Sequence, residues 1–190
     1  MPYSDELKVY WLFPVRTASR SCMSICRYFN FRDTDLHTLE PPLNPDYEFI
    51  SNVRNPYSRL LSIYELFCHH NKIEPKSFKS WVIGNYDKLY YQIDLHETFS
   101  ELKKIPTKFI RMEFLLDDLN SLSFIREEKT EEFKKLLDEN IQVNKYRSDI
   151  FTKPWQEYYD EELAKCVYNS LKKDFNLFGY DKNSWKDGTS

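Results

Sequence analysis

The stretch Phe49 to Tyr64, FISNVRNPYSRLLSIY, constrains the fold more than any other, because an apolar run ends abruptly in an arginine and a helix start. Tyr47 to Val53 has the β-branched and aromatic content of a buried strand. Asn55 then offers a side-chain cap, and Pro56 a fixed φ at the first helical turn. Arg54 is thereby expected at the carboxyl end of a strand, with Ser62 about one and a half turns into the following helix. A guanidinium presents forked donors and a serine adds a hydroxyl, so the pair can reach one dianionic phosphate in the crevice beyond the strand. A buried arginine paired with a carboxylate, next to a serine bonded to its own helix, would leave the same trace.

The rest of the composition narrows the choice of ligand. With 190 residues, 41% hydrophobic and 17% aromatic, the chain can bury the core of one ordinary globular domain, and it is read as a single domain over 1–190. A formal charge of −3 gives no general attraction to nucleic acid or anionic membrane, so any anion site must be local. No apolar run approaches the ~20 residues of a membrane span, and Met1 to Lys8 has neither the basic start nor the apolar core of a signal peptide. The expectation is a soluble, cytoplasmic protein without nucleic-acid or membrane partners. Cys22, Cys26, Cys68 and Cys166 lie in apolar helical patterns, where reduced thiols are the default; CxxxC on a helix beside the Cys68, His69, His70 run is not a zinc-knuckle spacing, and no metal is expected. With only Gly84, Gly179 and Gly188, neither a GxxxxGK[ST] loop nor a GxGxxG turn can be written.

Along the chain, Lys8 to Phe13 reads as a first buried strand broken by Pro14, and a polar loop from Arg16 to Ser21 opens a helix. In that helix Cys22, Ile25, Cys26 and Phe29 form one apolar stripe. Asp33 to Asp46, punctuated by Pro41, Pro42 and Pro45, is mostly loop, with at most a short strand at Leu36 to Leu39. After a helix over Tyr57 to His70, Trp81 to His96 reads as helices and loops. Lys108 to Met112 is a third strand, followed by a short helix with Asp117 and Asp118 at its start. Thr130 to Ile141 and Asp160 to Phe175 have helical periodicity, the latter with acids in its first turn and Lys172 and Lys173 in its last. Strands alternating with helices predict one α/β domain in which helices flank a parallel central sheet.

The loop FPVRTASRS follows the same logic as the Arg54 segment. A strand runs into hydroxyl-rich residues at a helix N-terminus, where N–H groups and the helix dipole favour a negative group. Thr17, Ser19 and Ser21 add donors, and Arg16 and Arg20 add charge. Taken alone, the loop reads equally as a capped helix with two solvated arginines. Together, the two segments resemble sulfotransferases that use 3′-phosphoadenosine-5′-phosphosulfate (PAPS), particularly the carbohydrate and heparan-type branch. RTASRS is similar to that family's PKTASTS-like signature, and Arg54, Pro56, Arg59, Ser62 and Tyr64 match every specified position of RxPxxRxxSxY. KFIRMEFLLDDL (Lys108 to Leu119) and YYDEELAKCVYNSLKKDFNLFGY (Tyr158 to Tyr180) look like the third-strand segment and the terminal helix, so the resemblance runs from Val9 to Tyr180.

The resemblance implies a P-loop-NTPase-like fold, PAPS as sulfate donor and PAP (adenosine 3′,5′-bisphosphate) as product, with no metal. It puts the 5′-phosphosulfate on Arg16, Thr17, Ala18, Ser19, Arg20 and Ser21, and the 3′-phosphate on Arg54 and Ser62. It also implies a basic loop over the nucleotide, for which Lys145 and Arg147 are the candidates. Arg16 stands where the family has lysine; it can stabilise charge on the bridging oxygen, yet it stays protonated above pH ~12 and cannot donate a proton. Ala18 stands where many relatives have glycine, which a loop avoiding positive φ would tolerate. In heparan-type relatives a glutamate or histidine soon after the first helix acts as base; Glu40 and His37 are the candidates here, Glu40 being favoured by its distance from Arg16, and His96 is a third. Trp81, Tyr86, Tyr90 and Tyr91 are candidates for a sugar platform or for core. The acceptor, carbohydrate or otherwise, stays open, as do a homodimer completing its pocket and the alternative of a catalytically weak nucleotide-binding scaffold.

Overall fold

The computed structural model describes residues 1–32, 45–72, 77–84, 95–101, 104–143 and 151–187. In chain order they form β1 (Tyr3–Ser4), β2 (Val9–Leu12), α1 (Ser19–Tyr28), β3 (Glu48–Val53), α2 (Pro56–Asn71), α3 (Phe78–Gly84) and α4 (Leu95–Glu101). There follow β4 (Lys108–Arg111), α5 (Leu115–Asn120), α6 (Ser123–Glu127), α7 (Glu131–Val143), α8 (Glu161–Phe178) and α9 (Ser184–Asp187). The chain divides into two compact units, Met1–Val53 with Phe99–Tyr146, and Arg54–Thr98 with Arg147–Ser190. Among the described residues no helix is long and apolar enough to cross a membrane.

The first unit holds the sheet, in the order β1-β2-β3-β4. Strands β2, β3 and β4 run parallel, with Trp11 opposite Ile50 and Asn52 opposite Ile110. Strand β1 is antiparallel to β2, so the sheet is mixed and the expectation of a parallel one holds for three strands only. A turn over Asp5–Lys8, with Lys8 at φ 56°, folds the first residues back along the edge. A two-residue strand is too short to show a period, which is why the sequence hid it.

One face of this sheet is the core. Val9, Trp11, Ile50 and Ile110 point the same way because side chains alternate along a strand, and they are buried with Cys22 and Ile25 of α1 and Phe133 of α7. Each such side chain taken from water contributes roughly 1.5–3 kcal/mol. Phe29, just past α1, lies half-buried with its ring 5.3 Å from that of Phe133. The central strand β3 is buried from Phe49 to Val53, as a strand with neighbours on both sides should be.

Asp117 and Asp118 lie in the first turn of α5, as the sequence predicts, and Asp118 has a second role there. Its carboxylate is buried inside α5 and takes three bonds from Arg111: the backbone N–H at 2.8 Å, Nε at 2.9 Å and a terminal nitrogen at 2.7 Å. A forked guanidinium matched to a carboxylate makes a strong pair, so Asp118 also ties β4 to α5.

In the second unit α2 packs on α8. The Tyr57 hydroxyl donates to Lys182 O at 2.8 Å and its ring lies 4.8 Å from Phe175, while the Tyr159 hydroxyl donates to Tyr57 O at 2.7 Å. Buried Asp174 of α8 accepts the N–H groups of Leu95 and His96 at 3.0 and 2.8 Å, satisfying the open start of α4. Helix α8 bends at Leu171 and runs to Phe178, where Gly179 at φ 74° ends it in the left-handed conformation that glycine adopts without strain. Lys172 and Lys173 therefore lie inside the helix, not in its last turn; the apolar contacts of Phe175 and Phe178 carry it onward.

Candidate functional site

The sequence singles out two candidate anion-holding segments, one in each unit. In the first, β2 ends at Leu12 and the chain turns through Pro14 to Ala18 into α1. Arg16 and Ala18 both take positive φ, 67° and 62°. The expectation that Ala18 tolerates its place because the loop avoids positive φ is thus overturned. An L-residue there costs roughly 1–2 kcal/mol, since Cβ crowds the carbonyl, and a glycine would escape that cost.

Ala18 is also the N-cap of α1, and it supplies no side-chain hydrogen bond. The first turn, Ser19, Arg20 and Ser21, contains no acid. By contrast, Asn55 caps α2 by accepting the Tyr57 N–H at 3.0 Å, with Pro56 in the first position, as its sequence predicts. Neither the N-cap nor the first turn of α1 supplies a side chain that neutralises the helix dipole, an arrangement that favours an anion from elsewhere.

Within this loop the side chains divide. Thr17 is fully buried, and its hydroxyl donates to Pro14 O at 2.6 Å, so that side chain braces the turn. Ser21 is buried, Ser19 and Arg16 are half-buried, and Arg20 is exposed. Beneath the loop sits Asn52, fully buried on the core face of β3. It accepts from Trp11 Nε1 at 2.8 Å and donates to Thr17 O at 2.9 Å and to Cys22 Sγ at 3.1 Å. Burial pushes the Cys22 thiol up to about 12 against the opposing pull of the Asn52 bond, so it stays protonated.

In the second segment Arg54 follows β3 directly and is half-buried. Its Nε donates to Ser58 Oγ at 2.9 Å, and Ser58 donates to Asn55 O at 3.2 Å. The bond orients the guanidinium plane and uses one of its five N–H donors. Ser58 and buried Ser62 are four residues apart on α2 and share the face that starts at Arg54. The charge of Arg54 acts on Tyr159, partly offsetting the burial that holds this phenol well above its usual range. Tyr159 is therefore a hydrogen-bond donor and not a base.

Sequence reasoning missed Asn52 and Ser58. An amide inside an apolar strand is a signal in itself, because a buried polar side chain must be satisfied, and a serine four residues after Arg54 lies within its reach. His37, Glu40, Lys145 and Arg147, the Leu36 to Leu39 strand, and Tyr86, Tyr90 and Tyr91 lie outside the described residues. Trp81 is half-buried with its ring 4.8 Å from Tyr64 and 5.7 Å from Phe67, an aromatic cluster of the second unit. Half-buried His96 donates its backbone N–H to Asp174. Among the described residues no group of three His, Cys, Asp or Glu side chains is placed to hold a metal ion. No family model, curated protein or solved structure matches the chain.

Proposed function

We propose that this chain is a sulfotransferase, moving a sulfuryl group from PAPS to a hydroxyl or amine, with a carbohydrate among the acceptors it would admit. The fold this implies is the P-loop-like sulfotransferase arrangement, with Arg16 to Ser21 holding the 5′ end of the nucleotide and Arg54 with Ser62 holding its 3′-phosphate. The observation that carries the reading is the start of α1: an N-cap without a side-chain bond, no acid in the first turn, and arginines at Arg16 and Arg20. The matched positions of RxPxxRxxSxY, with Arg54 oriented by Ser58, support the other end.

When bound, the nucleotide supplies the activated sulfuryl group. The chain's own task is alignment and charge stabilisation, which dominate in a loose in-line displacement. The S–O bond to the 5′-phosphate breaks as the acceptor's bond to sulfur forms, and the acceptor's proton passes to a base, for which Glu40 and His37 remain the candidates. Arg16 and the N–H groups of α1 stabilise charge gathering on the leaving oxygen. A phosphate leaving group needs no proton, so an arginine can serve in place of lysine. A second reading, nucleotide binding without turnover, is favoured by one feature: Arg16 is held at positive φ in the position where the family has lysine.

Thermal melting tests binding. PAP at ~100 times its dissociation constant should add about 2.7 kcal/mol of stability, and AMP, which lacks the 3′-phosphate, much less. Equal shifts would remove Arg54 and Ser62 from the site. Mass-detected sulfate transfer over an acceptor panel then separates the readings, since Arg16→Ala lowers turnover only if there is turnover to lose.

A further inference from the structure

The carboxamide of Asn52 is fixed in all directions by its surroundings. Trp11 Nε1–H can only donate, so the atom it meets at 2.8 Å must be the amide oxygen, and the nitrogen must face Thr17 O and Cys22 Sγ. No other residue of this size satisfies that set, because aspartate cannot donate to a carbonyl and leucine offers nothing to the indole. The consequence falls on the peptide between Thr17 and Ala18. The structure has no cis peptide bond among the described residues, and in a planar trans peptide the C=O and the N–H point in opposite directions. With Thr17 C=O drawn down onto Asn52, the Ala18 N–H is turned the other way, away from Asn52. The Thr17 hydroxyl, bonded to Pro14 O, holds the same residue from its side chain. Two contacts on one buried residue thus set the turn in which Arg16 and Ala18 adopt positive φ.

We propose that Asn52 is the positioning residue of this loop: by pinning the Thr17 carbonyl it aims the loop N–H at the 5′-phosphate group of an adenine nucleotide. The inference rests on the binding mode proposed above and adds a residue of β3 that touches no ligand. It differs from a satisfied core amide in one respect, because its loss should damage recognition of the 5′ end and spare the 3′ end.

Calorimetric titration separates these. The double variant Trp11→Phe/Asn52→Leu removes the amide together with the indole, so no indole N–H is left unpaired, and frees the Thr17 carbonyl from its Asn52 bond. It should bind PAP at least tenfold more weakly than the wild type, while its affinity for adenosine 3′-monophosphate stays within twofold. A folded double variant whose affinities for both nucleotides are unchanged, or fall together, overturns the role of Asn52 and leaves the binding mode standing. A wild-type protein with no preference for PAP over either monophosphate overturns the binding mode, and Asn52's role with it. A measurement on the wild type covers the case of a variant that does not fold. The Trp11 indole N–H resonance, identified by its loss in Trp11→Phe, should move when PAP binds and stay in place with adenosine 3′-monophosphate; no movement with saturating PAP overturns the proposal.

Discussion

Helices α1 and α8 begin with the same orphaned N–H groups and treat them in opposite ways. At α8, Asp160 accepts the Leu163 N–H at 2.9 Å, Glu161 and Glu162 fill the first turn, and Lys79 bonds both Asp160, at 2.8 Å, and Glu162. That start is complete in itself. At α1 the N-cap is an alanine in the left-handed region, the first turn has no acid, and the neighbouring charges are arginines. A helix that neutralises its own N-terminus gains stability and loses the capacity to receive an anion; one that carries strain there keeps that capacity.

Making α1 resemble α8 should give the largest effect. Ser19→Glu puts a carboxylate into the first turn, so the free protein should gain about 0.3–1 kcal/mol while the ~2.7 kcal/mol of PAP-induced stabilisation disappears, both read from melting curves. A variant still stabilised by PAP would show that the anion sits elsewhere. The reverse change, Asp160→Ala, should cost about 1 kcal/mol in urea unfolding and leave PAP affinity unaltered. Weakened PAP binding there would break the contrast between the two helix starts.

Ala18→Gly is a smaller test. Relief of the left-handed alanine, roughly 1–2 kcal/mol, is partly offset by glycine's freer unfolded state, roughly 0.4–1 kcal/mol, so a net gain of about 0.5–1 kcal/mol is expected in urea midpoints. A loss would mean that the turn is not strained. The smallest effect is in pH. The Asp160 carboxyl is held below its ordinary range, first by the Lys79 bond and then by the Leu163 N–H. Its contribution is therefore present above pH ~4 and lost as pH falls through the depressed value. Hydrogen exchange at the Leu163 amide, corrected for its intrinsic pH dependence, should lose protection on acidification; Ser19 to Ser21, whose N-cap and first turn hold no acid, should show no such step.

Much of this was legible in the chain. Asn55-Pro56 announces a helix, and Asn55 caps it; the apolar periods of α1 and α8 predict their buried faces; the β-branched runs predict β2, β3 and β4 to within a residue or two. Local propensity and periodicity suffice for these, because each element's own residues decide it. The antiparallel edge β1, the left-handed Ala18, the burial of Asp118 against Arg111 and the run of α8 past Lys173 were not legible. Each depends on a partner distant in sequence or on a backbone angle that neighbours impose.

The same division holds at the candidate site. The order of the residues alone determines that an arginine follows a buried strand and that a hydroxyl-rich turn opens a helix, since these are matters of spacing. That Thr17 turns inward to Asn52, that Ser58 orients Arg54, and that α1 begins without a side-chain cap was decided by tertiary structure. Hydrogen bonds of buried groups are assigned only when packing has fixed which donors and acceptors meet.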